Sequence, residues 1–307
     1  MKTSKITLSV AAIMLAMAVS VISCKKKDPA PAAEDKETNS ASDNSMAEGT
    51  ANDVDRMAAN TSEIAVGDSL NAFRLGEELL VSNCATVSRD TVLKKITVTF
   101  NGQPCYDGRT RSGILTFDYF GSTNGARYYR HPGFKCVITS SNYVVDGNKI
   151  SVNKTITNTT ALGFNSATIN MTWSITANIS IVKANGSGTV TWSANRVKTL
   201  LNTSDSLVYH GQLIPISWGK ARVGITGNAT GTTASGASFV ANITSQLVRD
   251  MTCSPNPSYP GHHPFIQGTI DFTPGTKATR YIDYGNGTCD NIATVTVNGI
   301  THTITLP

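Results

Sequence analysis

Ile169-Asn170-Met171-Thr172-Trp173-Ser174-Ile175-Thr176-Ala177-Asn178-Ile179-Ser180-Ile181 places an apolar residue at every odd position and Asn, Thr or Ser at every even one. Successive side chains of a strand point to opposite faces, so this stretch reads as one long strand with a buried face and a wet face. The same period appears on both sides of it. Ile96, Val98 and Phe100 alternate with Thr, and Leu115, Phe117 and Tyr119 alternate with Thr116 and Asp118. After the strand, Gly186-Ser187-Gly188 turns the chain into Val190 and Trp192.

Hairpin signals connect these strands. Asp146-Gly147 separates Tyr143-Val144-Val145 from Ile150 and Val152, and Asn298-Gly299 separates two further strands. Asn-Gly and Asp-Gly suit two-residue turns whose central residues need positive φ. A two-residue loop at Asn298-Gly299 pairs Val297 with Ile300, Val295 with His302 and Ala293 with Ile304. It leaves Thr294, Thr296, Thr301, Thr303 and Thr305 on the other face. His302 is then a histidine at a partly open edge of an apolar face. No helical patterns of 10–15 residues separate the strands, which argues against βαβ units. The expected fold is all-β: an antiparallel meander forming a sandwich or a strongly curved sheet, with a short helical N-terminal segment.

Composition agrees. Charged residues make up 15% and aromatics 7%, while Thr, Asn, Ser and Gly are abundant, which favours strands joined by many turns. The formal charge of +5 is too small to argue for a nucleic-acid partner.

The N-terminus supplies an address. Lys2 and Lys5 precede an apolar run from Ile6 to Val21, followed by Ile22-Ser23-Cys24. That layout is a secretory leader, shorter than a spanning helix, and its end resembles the bacterial lipobox, in which the cysteine thiol becomes a lipid thioether. Residues 1–23 are expected as signal peptide and Cys24 as the lipidated N-terminus. Residues 24–48, poor in bulky apolar side chains, are expected as a flexible tether. Residues 49–80 are expected as one or two short helices packed on the β domain, and 81–307 as that domain. Lys25 rather than Asp after the cysteine favours the outer membrane, with the body facing the periplasm or the cell surface.

Five more cysteines follow: Cys84, Cys105, Cys136, Cys253 and Cys289. None forms a CxxC, so a thiolate zinc site has little support. Two segments repeat a pattern of strand, aromatic, Asn-Gly turn, Cys and Asp: Ile96 to Asp107 and Tyr281 to Asp290. Each has an earlier cysteine ahead of it. Of the three connectivities open to four cysteines, the repeat favours Cys84–Cys105 with Cys253–Cys289 and leaves Cys136 free.

Phe100-Asn101-Gly102, Cys105, Asp107-Gly108-Arg109-Thr110-Arg111-Ser112-Gly113, the Asn142 to Gly147 hairpin and Asp283 to Asn291 together resemble a group of uncharacterised bacteroidete-type lipoproteins. The likeness covers most of residues 84–306. It implies secretion, lipidation and an all-β body, and it brings no known activity, cofactor or catalytic residue. Gln103-Pro104 before Cys105 and the lone Cys136 depart from that pattern, which puts the shape of the first turn in question.

Little points to chemistry. Nucleophile-elbow, HExxH, P-loop and dinucleotide signatures are absent from the sequence. Asp283, Asn286 and Asp290 surround a Gly-rich turn but fit no EF-hand spacing, so turn capping is the expected role and no metal or cofactor is proposed. His262-His263 sits in a Pro-rich loop without acid or Cys partners nearby in sequence. Arg109, Arg111, Tyr119, Arg127, Tyr128 and Arg130 are the candidate ligand surface, able to stack on sugars or hold anionic groups. The expectation is a non-enzymatic, lipid-anchored binding or structural module. A membrane is its partner through the anchor, and a glycan or an envelope protein is the expected second partner. A hydrolase of glycans or envelope polymers and a scaffold within an envelope complex are the alternatives.

Overall fold

The computed structural model describes residues 35–64, 83–126, 128–161, 171–202, 206–209, 212–215 and 218–306. Cys24, the leader and residues 65–82 lie outside them.

Among the described residues one helix comes first, α1 (Asn39–Ile64), followed by strands and a short 3-10 turn. They are β1 (Ala85–Asp90), β2 (Lys95–Pro104), β3 (Thr110–Asp118), β4 (Lys135–Val145), β5 (Asn148–Asn158), β6 (Thr172–Val182) and β7 (Thr189–Leu200). Then come β8 (Ser206–Tyr209), β9 (Gln212–Pro215), β10 (Arg222–Thr232), β11 (Ser238–Asp250) and β12 (Phe265–Pro274). β13 (Arg280–Asn286), β14 (Ile292–Val297) and β15 (Ile300–Thr305) complete the chain. Thirteen of these form a single antiparallel sheet whose spatial order is the chain order, with the β8–β9 ribbon set aside as its own pair. Of the two architectures expected, this is the curved sheet.

The registers follow the sequence pattern. In β6, Trp173, Ile175, Ala177, Ile179 and Ile181 are buried; Ile169 and Asn170, at the start of the alternating stretch, lie outside the described residues. β14 and β15 pair Val297 with Ile300, Val295 with His302 and Ala293 with Ile304. Asn298 and Gly299 have φ of 51° and 79°, the conformation a two-residue hairpin loop demands. Asp146 and Gly147 do the same for β4 and β5, at 49° and 80°.

Curvature comes from bulges. The β3–β4 register shifts between Ser112 and Ile114, around Gly113 at φ 87°, where a Cβ would lie 2.1 Å from the carbonyl oxygen of Asn142. Gly268 plays the same part in β12, at φ 105° beside the carbonyl of Gln246. Each bulge bends and twists its strand, and a side chain at either glycine would push the neighbouring strand away. The first Asn-Gly of the internal repeat behaves likewise. Asn101-Gly102 is not a turn but part of β2, with a register shift before Pro104, and the chain reverses at Cys105–Arg109, where the Gly108 N–H donates to the Cys105 carbonyl. The Gln103-Pro104 insertion thus converts the turn of the second copy into a strand bulge.

α1 lies against the inner face of this sheet and is held from many strands at once. Arg109 beside β3, Lys154 of β5, Lys183 after β6, Arg196 of β7, Arg249 of β11 and Tyr284 of β13 all reach its side chains or carbonyls. A single rod can meet strands so far apart in sheet order only if the sheet wraps around it. The helix starts at Asn39, inside the segment expected as tether, and runs to Ile64; residues 65–80 of the segment expected as helical lie outside the described residues. Small residues make this fit: Ala41, Ala47, Ala51, Ala58 and Ala59 are buried, with Val54 and Met57 as the larger apolar members. The Glu37 carboxylate accepts from the Ser40 N–H at 2.7 Å and from its hydroxyl at 2.8 Å, serving an N–H that the first helical turn leaves without a partner.

Two disulfides pin the loops. Cys84–Cys105 and Cys253–Cys289 have Cα separations of 4.9 and 5.4 Å, the pairing favoured by the repeat. Cys136 on β4 is a buried free thiol, and burial pushes its pKa up. The β11–β12 loop reaches the β2–β3 turn, with the Gly261 N–H directed at the Tyr106 carbonyl and Tyr259 packed on Gly108.

Candidate functional site

The densest chemistry among the described residues is the buried seam between α1 and the sheet. Its origin is a violation of the alternating pattern. In β7, Val190, Trp192, Ala194, Arg196, Lys198 and Leu200 share the buried face, so two cations stand where apolar residues are expected. In β5, Ile150, Val152, Lys154 and Ile156 do the same with one. A strand cannot redirect a side chain without losing register, so these charges point inward and must be met there.

The helix meets them. Asp55 takes the Lys198 ammonium at 2.7 Å, the Tyr129 hydroxyl at 3.0 Å and the Lys154 ammonium at 3.7 Å. Lys154 also donates to the Ala51 carbonyl at 2.6 Å. Glu48 pairs with Arg196, whose guanidinium lies over the Trp192 ring. Asp43 takes Lys183 at 2.6 Å and the Ala234 N–H at 2.9 Å. Asp53 receives Arg109 at 2.8 Å, with Arg111 at 3.5 Å and Arg249 at 3.7 Å. Burial would raise the pKa of Asp53, but Arg109, Arg111, Arg249 and Arg56 hold it below the usual carboxylate value. Asp55 is likewise lowered, by Lys198 and Lys154 against the opposing effect of burial. For Lys154 burial wins over Asp55, and its pKa falls to about 8; Arg249 falls to about 10 for the same reason.

The ligand surface expected from sequence is not an exposed one. Arg111 is fully buried and grips Asp107 through two hydrogen bonds of 2.7 and 2.6 Å. Arg109 spans Asp53 and Asp146. Tyr128 and Arg130 are both buried in the β3–β4 loop, with the guanidinium 4.6 Å from the ring centre. Tyr119 packs against the core, and Arg127 lies outside the described residues. Arg109 and, at longer range, Arg111 turn toward Asp53 of the helix, a carboxylate that no surface reading could place. The acids Asp43, Glu48, Asp53 and Asp55 were missed because the first two lie in a stretch resembling a tether. The strand cations carried a legible signal, a charge in phase with the buried face.

The other candidates resolve into structure. Asp283, Asn286 and Asp290 accept hydrogen bonds from Gly285 N, the Thr288 hydroxyl and Ile292 N, which makes them turn caps. Among the described residues no group of three or more His, Cys, Asp or Glu is placed to hold a metal ion. His263 is buried, its Nδ1 2.7 Å from the Cys253 carbonyl, and burial with the nearby Arg56 takes its pKa down to about 3. The neutral ring therefore donates from Nδ1. His302 is half-buried on β15.

Three concavities are bordered by described residues. One of about 30 Å³ lies between α1 and β7, β10 and β11, bordered by Asn52, Arg56, Asn60, Lys198, Val223 and Arg249. Another of about 30 Å³ lies by Ser45, Asp53, His263, Phe265 and Tyr284. The third is a depression of about 370 Å³ at β4–β6, bordered by Ser140, Asn142, Lys149, Ser151 and Ser180. Comparison of the chain with protein families, with curated proteins and with solved structures finds no match.

Proposed function

We propose that this chain is a lipid-anchored protein of the outer membrane, tethered through Cys24, whose β body displays a surface and carries out no reaction. The observation that supports this reading most is the helix inside the sheet. The inner face, where a curved sheet would otherwise receive a ligand, is filled by the chain's own α1. The inward acids Asp43, Glu48, Asp53 and Asp55 are each engaged by Lys or Arg. Asp53 and Asp55 are held below the usual carboxylate value by these cations, the opposite of the raised, substrate-facing acid that glycoside hydrolysis needs.

What the body offers outward is polar and hydroxyl-rich. Thr191–Thr232, Thr296–Thr301 and Thr244–Thr269 form cross-strand hydroxyl pairs at 2.8 Å. The depression at β4–β6 is large enough for a sugar unit and brings hydroxyl, amide and ammonium groups together. A glycan of the envelope or of an encountered surface is the ligand class that fits.

The test has two arms. Metabolic labelling with a lipid precursor should mark the wild type and leave Cys24→Ala unlabelled and released from membranes; equal labelling of both sinks the anchor. Glycan-array binding by the soluble body should weaken at least tenfold in Lys149→Ala with the fold intact. A wild type that binds nothing on the array, or a Lys149→Ala body that binds equally well, removes the depression from the reading.

A further inference from the structure

Val92 is 85% exposed, Phe120 68% and Leu93 55%, and these are the three most exposed large apolar side chains among the described residues. Single exposed apolar residues are ordinary, but a group of them marks a contact surface. All three stand at one place. Val92 and Leu93 lie in the β1–β2 turn, and Phe120 lies where the β3–β4 loop begins. The two loops adjoin: the Tyr119 N–H donates to the Lys94 carbonyl at 3.0 Å, and the Lys94 ammonium lies 5.6 Å from the centre of the Phe120 ring.

The turns themselves do not need these residues to be apolar. The Asp90 carboxylate accepts from the Val92 and Leu93 N–H groups at 2.9 and 2.8 Å, and Asp118 accepts from the Phe120 N–H at 3.0 Å. Carboxylates capping the backbone in this way fix a turn whatever side chains follow them. The apolar side chains are left in solvent, where they add nothing to the fold.

The surroundings select the partner. Lys94 stands in the first turn, and the Lys135 stem passes 3.2 Å from where a Cβ on Gly121 would be, so an ammonium group borders each tip. The neighbouring acids are engaged within the body, Asp90 with the turn N–H groups and Asp118 with the Phe120 N–H and with Lys95 at 3.5 Å. Apolar tips bordered by ammonium groups match the layering of a bilayer. The side chains enter the acyl boundary, while the lysines lay their stems along it and keep their charge among anionic headgroups. Two protruding turns also suit a surface that deforms around them.

We propose that Val92, Leu93 and Phe120 dock the body onto a lipid bilayer carrying anionic headgroups, with Lys94 and Lys135 at the headgroup level. The contact is separate from the Cys24 anchor and is testable without it.

Residues 35–307 form one compact unit that contains α1 and every described strand, so this unit is the sample. Vesicles of mixed phosphatidylcholine and phosphatidylglycerol are the probe, set against phosphatidylcholine alone. The unit should sediment with the anionic vesicles, about fivefold less with the neutral ones, and less as salt rises. Leu93→Ser with Phe120→Ser should lower the partition by at least about tenfold, and Lys94→Gln with Lys135→Gln by about tenfold on anionic vesicles. Circular dichroism checks that both variants fold. Leu93→Trp reads the tip directly: on vesicles its emission should move to the blue and be quenched by lipids brominated on their acyl chains. A unit that ignores both vesicles overturns the proposal, as does equal binding to both, or binding that the Leu93 and Phe120 changes leave intact. Self-association that those changes abolish, without vesicle binding, would make the tips a contact between copies and overturn it too. Should the double variants not fold, vesicle selectivity and the Leu93→Trp quenching decide alone.

Discussion

Asp55 holds two lysines and a tyrosine at one point inside the sheet, so its loss leaves two buried ammonium groups without a counter-charge. Asp55→Asn is expected to cost about 3–5 kcal/mol, read as a lower urea midpoint at unchanged slope. Adding Lys154→Met to that variant should recover part of the loss, because one orphaned charge is removed with it. His263 gives a prediction in pH. Its folded pKa of about 3 lies below the free value of 6.5, so the unfolded chain binds the extra proton between them. Stability therefore falls as pH drops through that window, by about 1.4 kcal/mol per unit. Asp53 and Asp55, held below 3.8, add to the loss only below about pH 4, where the unfolded carboxylates take up protons before the folded ones do. His263→Asn keeps a donor for the Cys253 carbonyl and cannot titrate. Urea midpoints between pH 6.5 and 4.5 should slope in the wild type and flatten in the variant; equal slopes would remove His263 as the cause.

Among the elements, α1 differs most from what its sequence suggests. It is polar nearly throughout, yet Asp43, Asn44, Glu48, Asn52, Asp55 and Asn60 are all buried. Its apolar line, Ala47, Ala51, Val54 and Ala58, is made mostly of small residues and drives it weakly alone, so its stability is tertiary. Its alanines set how closely the strands approach. Ala47→Leu, at a fully buried position, should destabilise by about 1–3 kcal/mol through overpacking despite Leu being a good helix former, as thermal or chemical unfolding would show. The β14–β15 hairpin is the opposite case, decided locally. Asn298 holds φ 51°, so Asn298→Ala should cost about 1–2 kcal/mol. Asn298→Gly should cost little, and a variant pair that melts together would refute this.

For the whole molecule, the open questions are what holds a thirteen-stranded sheet in a curve and what closes its loops. The disulfides close separations of 21 and 36 residues. Removing each as a Cys→Ala pair should cost about 3–4 kcal/mol, slightly more for Cys253–Cys289 because its loop is longer. The two losses should add, since separate loops are tied. Denaturant titration of both double variants and the quadruple one measures this, and a quadruple variant no worse than either double would show one staple to be idle.

The alternation from Ile169 to Ile181, the two hairpin turns and the cysteine repeat determined the all-β meander, the β14–β15 register and both disulfides from sequence alone. They are local features: period two, positive φ and a repeated spacing act within a few residues and need no distant partner. Where α1 begins, why Arg111 is buried and which charges meet were decided by the tertiary structure. Asn39 to Glu48 becomes helix because Lys183 and Arg196 await Asp43 and Glu48 about 140–148 residues away. A buried charge is tolerable only when its partner arrives, and here that partner is fixed by the curvature of the sheet, which no short window of sequence contains.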